Sequence, residues 1–187
     1  MKELPRPFWL LLAGVGCLAL GYTDFALMAF HFKQRALLAD AGIPIGYGVA
    51  MGLQGLASLA FGHLFDRWHV KALLAATIPA IVFAPLTFLG GVRAALAGLA
   101  LWAVGMGAQN AIMKAMVAEL VPGDRRGLAY GVLNCAYGAL WFAGSAAMGW
   151  LYDRSLGGLV IFSLAAQLAS VPLLCCLQLP RRGIEAA

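Results

Sequence analysis

Six apolar runs, each long enough to cross a lipid bilayer, follow one another with only short connections between them. They cover roughly residues 8–32, 43–65, 71–90, 94–118, 127–152 and 158–179. A hydrocarbon core about 30 Å thick needs about 20 residues of helix to span it. No water reaches that core, so a crossing segment must satisfy its own backbone as a helix or join a closed barrel. Barrel strands alternate apolar and polar residues, and these runs do not. Only 11% of the residues are charged, against roughly 25% in a soluble domain. The expectation is an all-α, multi-pass membrane protein, a single six-helix bundle over residues 1–187 in contact with lipid. The first run is too long for a signal-peptide core and lacks a small-x-small cleavage site, so it reads as a retained helix.

The punctuation fits this reading. Pro5, Pro7, Pro44, Pro122 and Pro180 fall at span ends, where a missing donor costs little. Pro79 and Pro85 fall inside the third span and predict a bend there. The net charge of +5 comes from Lys and Arg scattered between the spans, so it does not point to nucleic acid. One side holds Lys2, Arg6, Arg67, Lys71, Arg125, Arg126, Arg181 and Arg182, and the other Lys33, Arg35, Arg93 and Arg154. The richer side is expected in the cytoplasm, with both termini.

The sequence Gly-x-Leu-aromatic-Asp-Arg occurs twice, 87 residues apart: Gly62-His63-Leu64-Phe65-Asp66-Arg67 and Gly149-Trp150-Leu151-Tyr152-Asp153-Arg154. The first copy ends the second span and the second ends the fifth. Counting spans puts the copies on opposite faces, which predicts two inverted three-helix repeats over about 8–90 and 94–179, an arrangement of secondary transporters. The second and fifth spans are also rich in glycine. Gly48/Gly52 and Gly127/Gly131 have the small-xxx-small spacing that lets helices approach closely. These two helices are expected to face another helical bundle.

With its sequel Trp68-His69-Val70-Lys71, the first hexapeptide resembles the loop motif of the major facilitator superfamily, Gly-x-Leu-x-Asp-Arg-x-Gly-Arg-Arg/Lys. Gly62, Leu64, Asp66, Arg67 and Lys71 match, whereas His69 and Val70 stand where the pattern has Gly and Arg. Pro122-Gly-Asp-Arg-Arg-Gly-Leu-Ala-Tyr-Gly131 looks like the loop entering the family's eleventh helix. Gly105-x-Gly107-x-Gln109 through Lys114-Ala115 resembles its tenth. The six spans are therefore similar to helices 7–12 of a bacterial member. The resemblance implies half of a transporter fold in a bacterial inner membrane, moving a small solute together with a second six-helix half or a second copy of the chain. It also implies a gating role for Asp66 and Arg67. A carboxylate at a helix end can bond a neighbouring helix N-terminus and hold one side shut. Topology anchoring by Arg67 is the plainer alternative. Asp153 and Arg154 are either the outer counterpart or a solvated pair.

Polar residues inside spans are expensive enough to need a reason. Asp24 sits about 24 Å from the inner end of the first span, and Lys114 about 7 Å into the fourth. A direct pair between them is not expected. Lys114 is expected to snorkel or to reach Asp66 or Glu119. Asp24 is either a pathway carboxylate or an interfacial residue bonded to Thr23 or Tyr22. Gln54, Gln109, Asn110 and Asn134 are pathway or interhelical hydrogen-bonding residues. The tryptophans read mostly as interface or packing residues.

No Gly-x-Ser-x-Gly, His-Glu-x-x-His or Gly-x-x-x-x-Gly-Lys-Ser/Thr sequence is present, and the cysteines lack ligand spacing. The chain is not expected to be an enzyme, to hold a cofactor or metal, or to use ATP. The alternative to a carrier half is a non-transporting assembly partner or a truncated transporter.

Overall fold

Helix α1 (Arg6–Gly21) begins at a proline, with Pro7 in its first turn, where no intrahelical donor is needed. The computed structural model describes residues 4–177. Helices α2 (Phe25–Gln34), α3 (Gly42–Trp68), α4 (Val70–Ala80), α5 (Phe83–Leu89), α6 (Val92–Leu120), α7 (Arg126–Arg154) and α8 (Leu156–Cys175) follow. A single 3-10 turn, Gly123–Arg125, precedes α7. Among the described residues there is no strand. Lys2, Pro180, Arg181 and Arg182 lie outside them.

Five stretches are long and apolar enough to cross a membrane: Arg6–Gln34, Gly42–Trp68, Val70–Leu89, Val92–Leu120 and Leu156–Cys175. The expected fifth span, α7, has the length, at 29 residues, but is not one of them. Its glycines, Asn134 and terminal Arg126, Asp153 and Arg154 dilute its apolar content.

Two expected spans are interrupted. The bend predicted from Pro79 and Pro85 is a break at Ile81–Val82 between α4 and α5. Pro85 cannot donate to the Ile81 carbonyl four residues earlier, and its ring crowds that carbonyl. The first span, expected to be continuous over 8–32, stops at Gly21 and restarts at Phe25. Here no proline acts. Asp24 caps α2 by accepting from Ala26 N at 3.3 Å, and Ser155 caps α8 in the same way through Gly158 N at 3.1 Å.

Both described chain ends lie together, since Arg6 and Cys176 line one depression. The α3–α4 turn joins them, with Trp68–Lys71 against Leu174–Leu177. At the opposite end, His31 and Arg35 meet Phe88–Gly90 and Leu156. The two hexapeptide copies therefore sit at opposite ends of the bundle.

The core has two parts. One gathers Phe8, Leu11, Leu73, Ile112 and Met116 towards the chain ends. The other gathers Tyr22, Met28, Phe83, Trp102 and Met148 towards the far end. Trp141 packs against both. Helix α6 lies against α3, α4 and α5, and α1 lies against α7 and α8. Lipid tails are as apolar as leucine, so close packing holds such helices together. Two glycines make the tightest crossings. A Cβ on Gly107 would strike the Gln54 carbonyl and Ala57 of α3, and one on Gly144 the Leu20 carbonyl of α1. The glycines singled out by spacing do not pack. Beside Gly48, Gly52, Gly127 and Gly131 there is open space within 4 Å of an added Cβ.

Candidate functional site

A cavity of about 220 Å³ opens at the break in the first span. Helix α3 gives it Tyr47, Met51 and Gln54, and α6 gives it Trp102, Met106 and Asn110. Both triplets follow the helical repeat, so each forms one face. Asp24 and Phe25 enter from the start of α2, and Trp141 enters from α7. Asp24, Gln54 and Asn110, expected from sequence as separate pathway residues, thus line one cavity. Its aromatic wall is continuous. The Phe25 ring lies 4.4 Å from that of Tyr47 and 6.2 Å from that of Trp102.

Non-helical backbone at membrane depth survives only where its polar groups find partners. Ser163 Oγ donates to the Gly21 carbonyl at 2.7 Å, and Trp102 Nε1 donates to the Thr23 carbonyl at 2.9 Å. Tyr22 OH donates to the Trp102 carbonyl at 3.1 Å, and Thr23 Oγ1 to Met148 Sδ at 3.3 Å. These bonds tie the break to α6, α7 and α8. They also correct the expected environment of Asp24, which is bonded neither to Thr23 nor to Tyr22. Its carboxylate holds the one long bond to Ala26 N and is exposed.

The remaining polar residues disperse. Gln109 is buried and points to α7, where Tyr137 OH donates to its Oε1 at 3.3 Å. Its Nε2 has no partner. Asn134 is exposed on α7. Lys114 is exposed, and among the described residues it makes no ion pair. Glu119, one partner expected for it, faces His69 Nδ1 at 3.7 Å. Lys114 contributes its carbonyl, which accepts from Tyr130 OH at 2.9 Å.

Asp66 and Arg67 are exposed at the last turn of α3, where Gly62 has open space and Leu64 is partly buried. The turn itself is unusual. His69 has φ 46° and ψ −128°, a conformation that favours glycine. It is the position at which the facilitator motif has Gly. Lys71 follows in the first turn of α4. In the second copy, Arg154 stacks over its own Trp150, 3.9 Å from the ring centroid. Asp153 is exposed beside it. From that copy Tyr152 reaches α2, its OH sharing a 3.0 Å hydrogen bond with His31 Nδ1.

Sequence reasoning missed the helix break, the aromatic wall and the His31–Tyr152 pair. The break had a signal. Gly21-Tyr22-Thr23-Asp24 places a capping Asp directly before a new apolar turn.

The family model described as Major Facilitator Superfamily matches residues 17–185. Three uncharacterized proteins, one from Mycobacterium bovis and two from strains of Mycobacterium tuberculosis, are each 35% identical over 95% of the chain. The chain spans 44% of the length of each.

Proposed function

Because this chain belongs to the Major Facilitator Superfamily, we propose that it forms one half of a secondary-active transporter. It moves a small solute by alternating access against a second six-helix bundle, whether that bundle belongs to the same polypeptide, another chain or a second copy. The observation that carries this is the cavity at the break in the first span. Transporters bind substrate where a discontinuous helix lines a space within the membrane, and Asp24, Gln54 and Asn110 line one cavity beside such a break.

The packing supports a duplicated architecture of six spans, with α7 as the fifth. Span one lies against spans five and six, and span four against spans two and three. The register agrees too. Leu20 meets Gly144, and Gly107 meets Ala57. Leu20 and Gly107 are 87 residues apart, as are Ala57 and Gly144, which is the spacing of the hexapeptides. One offset thus converts one crossing into the other. The placement of the copies at opposite ends fits an inverted repeat. The basic residues Arg6, Arg67, Lys71, Arg125 and Arg126 gather at the end with the chain termini, which favours that end as cytoplasmic in a bacterial inner membrane. The open glycine faces of α3 and α7 suit contact with the second bundle, and Asp66 and Arg67 would latch its inner side.

The test needs no substrate. Gln54→Cys and Asn110→Cys are made in a background without the four native cysteines. A membrane-impermeant maleimide is then applied from each side of oriented vesicles. Labelling from both sides is expected, with the Asp66→Asn variant shifting the balance between sides at equal insertion. Labelling from one side alone in every variant would exclude alternating access and favour a non-transporting assembly partner.

A further inference from the structure

We propose that this cavity binds a compact organic cation, an amine or quaternary ammonium. The inference rests on reading the cavity as part of the transport pathway, and it names the class of solute. Asp24 supplies the only full charge on the lining, and no Lys, Arg or His joins it. The carboxylate has room for a ligand. A carboxylate offers about four acceptor positions, and Asp24 uses one, on Ala26 N at 3.3 Å. The positive end of α2 does not compete for an anion, because Asp24 itself caps it.

The aromatic lining suits cations as well. Phe25, Tyr47, Trp102 and Trp141 present aromatic rings to one space. Ring faces attract ammonium groups within about 6 Å of their centroids. Thioethers from Met51 and Met106 complete an apolar, polarizable surface. The volume of about 220 Å³ equals the share of about seven water molecules, enough for a trimethylammonium head group with a short tail. A sugar would need more hydrogen-bonding partners than Gln54, Asn110 and one carboxylate provide.

The test uses the Asn110→Cys chain and asks what protects it from the maleimide. Choline is compared with 3,3-dimethylbutan-1-ol, which has the same shape without the charge, and with glucose. Choline is expected to protect, and the neutral alcohol is not. Asp24→Asn is expected to raise the half-protecting choline concentration about two- to fivefold, as for an exposed charge pair. Asn caps a helix as well as Asp, so an unchanged melting temperature will separate lost charge from lost fold. Equal protection by the neutral alcohol, or no effect of Asp24→Asn, overturns the proposal. Protection by glucose alone, with two-sided labelling intact, overturns the cation and leaves the pathway. Loss of two-sided labelling in the unliganded chain counts against the pathway instead.

Discussion

His69 sits at φ 46° and ψ −128°, and replacing it tests the turn that joins α3 to α4. At most positions Gly→Ala stabilises by about 0.4–1 kcal/mol, because alanine has less freedom to lose on folding. Here the order should reverse. A side chain in such a conformation costs about 1–3 kcal/mol, and glycine removes that cost. His69→Gly and His69→Ala both lose the contact with Glu119 at 3.7 Å and the edge contact with Phe65 at 5.7 Å. Those losses cancel between the two variants, so only the backbone separates them. Setting the strain against the entropy leaves His69→Gly more stable than His69→Ala by about 1.3 kcal/mol at mid-range and about 2.6 kcal/mol at most. The wild type should lie between the two, since it keeps the strain that alanine has and adds back a half-exposed pair worth about 0–1 kcal/mol. Denaturant titration of the purified chain in mild detergent, followed by circular dichroism, reads the difference directly. Equal stability, or alanine above glycine, would refute the strained turn.

Other substitutions probe the packing. Gly144→Ala drives a Cβ into the Leu20 carbonyl and should destabilise by about 1–3 kcal/mol, whereas Gly48→Ala meets open space and should be neutral or up to about 1 kcal/mol stabilising. Melting temperatures that move together would contradict the crossing of α7 and α1. Trp102→Phe leaves the buried Thr23 carbonyl without its donor and should cost about 1–3 kcal/mol. Tyr22→Phe removes a donor from a carbonyl inside α6 and should cost about 0.5–1.5 kcal/mol. A larger loss for Tyr22→Phe in the same detergent melts would show that Trp102 does not hold the break.

Much of the architecture was legible because hydrocarbon imposes length and apolarity on any crossing segment. The outer ends of the first five spans fall within about three residues of the hydropathy limits. Helix α8 ends at Cys175, short of the expected 179, which lies outside the described residues. Pro85 announced the break before it. Polarity marked Asp24, Gln54 and Asn110 as costly residues in need of a role. Rotation about a helix axis was not legible. Gln109 and Asn110 are neighbours at one depth, yet about 100° of turn separates them. One bonds Tyr137, and the other faces the cavity. Nor could spacing separate packing glycines from open ones, since Gly48 and Gly107 differ only in what lies opposite. The aromatic wall was hidden for a related reason. Trp102 and Trp141 look like packing or interface residues until the break in the first span gives them a space to line. The pairing of His31 with Tyr152 spans 121 residues and follows from the fold alone.

The proposed duplication makes one asymmetry informative. The 87-residue offset carries Tyr22, Thr23 and Asp24 onto Gln109, Asn110 and Ala111. The first triplet is unwound and the second lies within an unbroken helix. Asp24 and Asn110 nevertheless line the same cavity. Two segments related by the repeat thus meet at the site, one through a helix N-cap and one through a helix face. Unwinding one of them turns Asp24 from a mid-helix residue, with a backbone already satisfied, into a cap whose free acceptors open onto the cavity. The bonds from Ser163 and Trp102 help hold that state by satisfying two of the carbonyls that the helix releases. Under the proposed repeat, one of the two places where the copies differ in helix continuity, the break at Tyr22–Asp24, is therefore where binding is proposed, and the other is the Ile81–Val82 break in the third span.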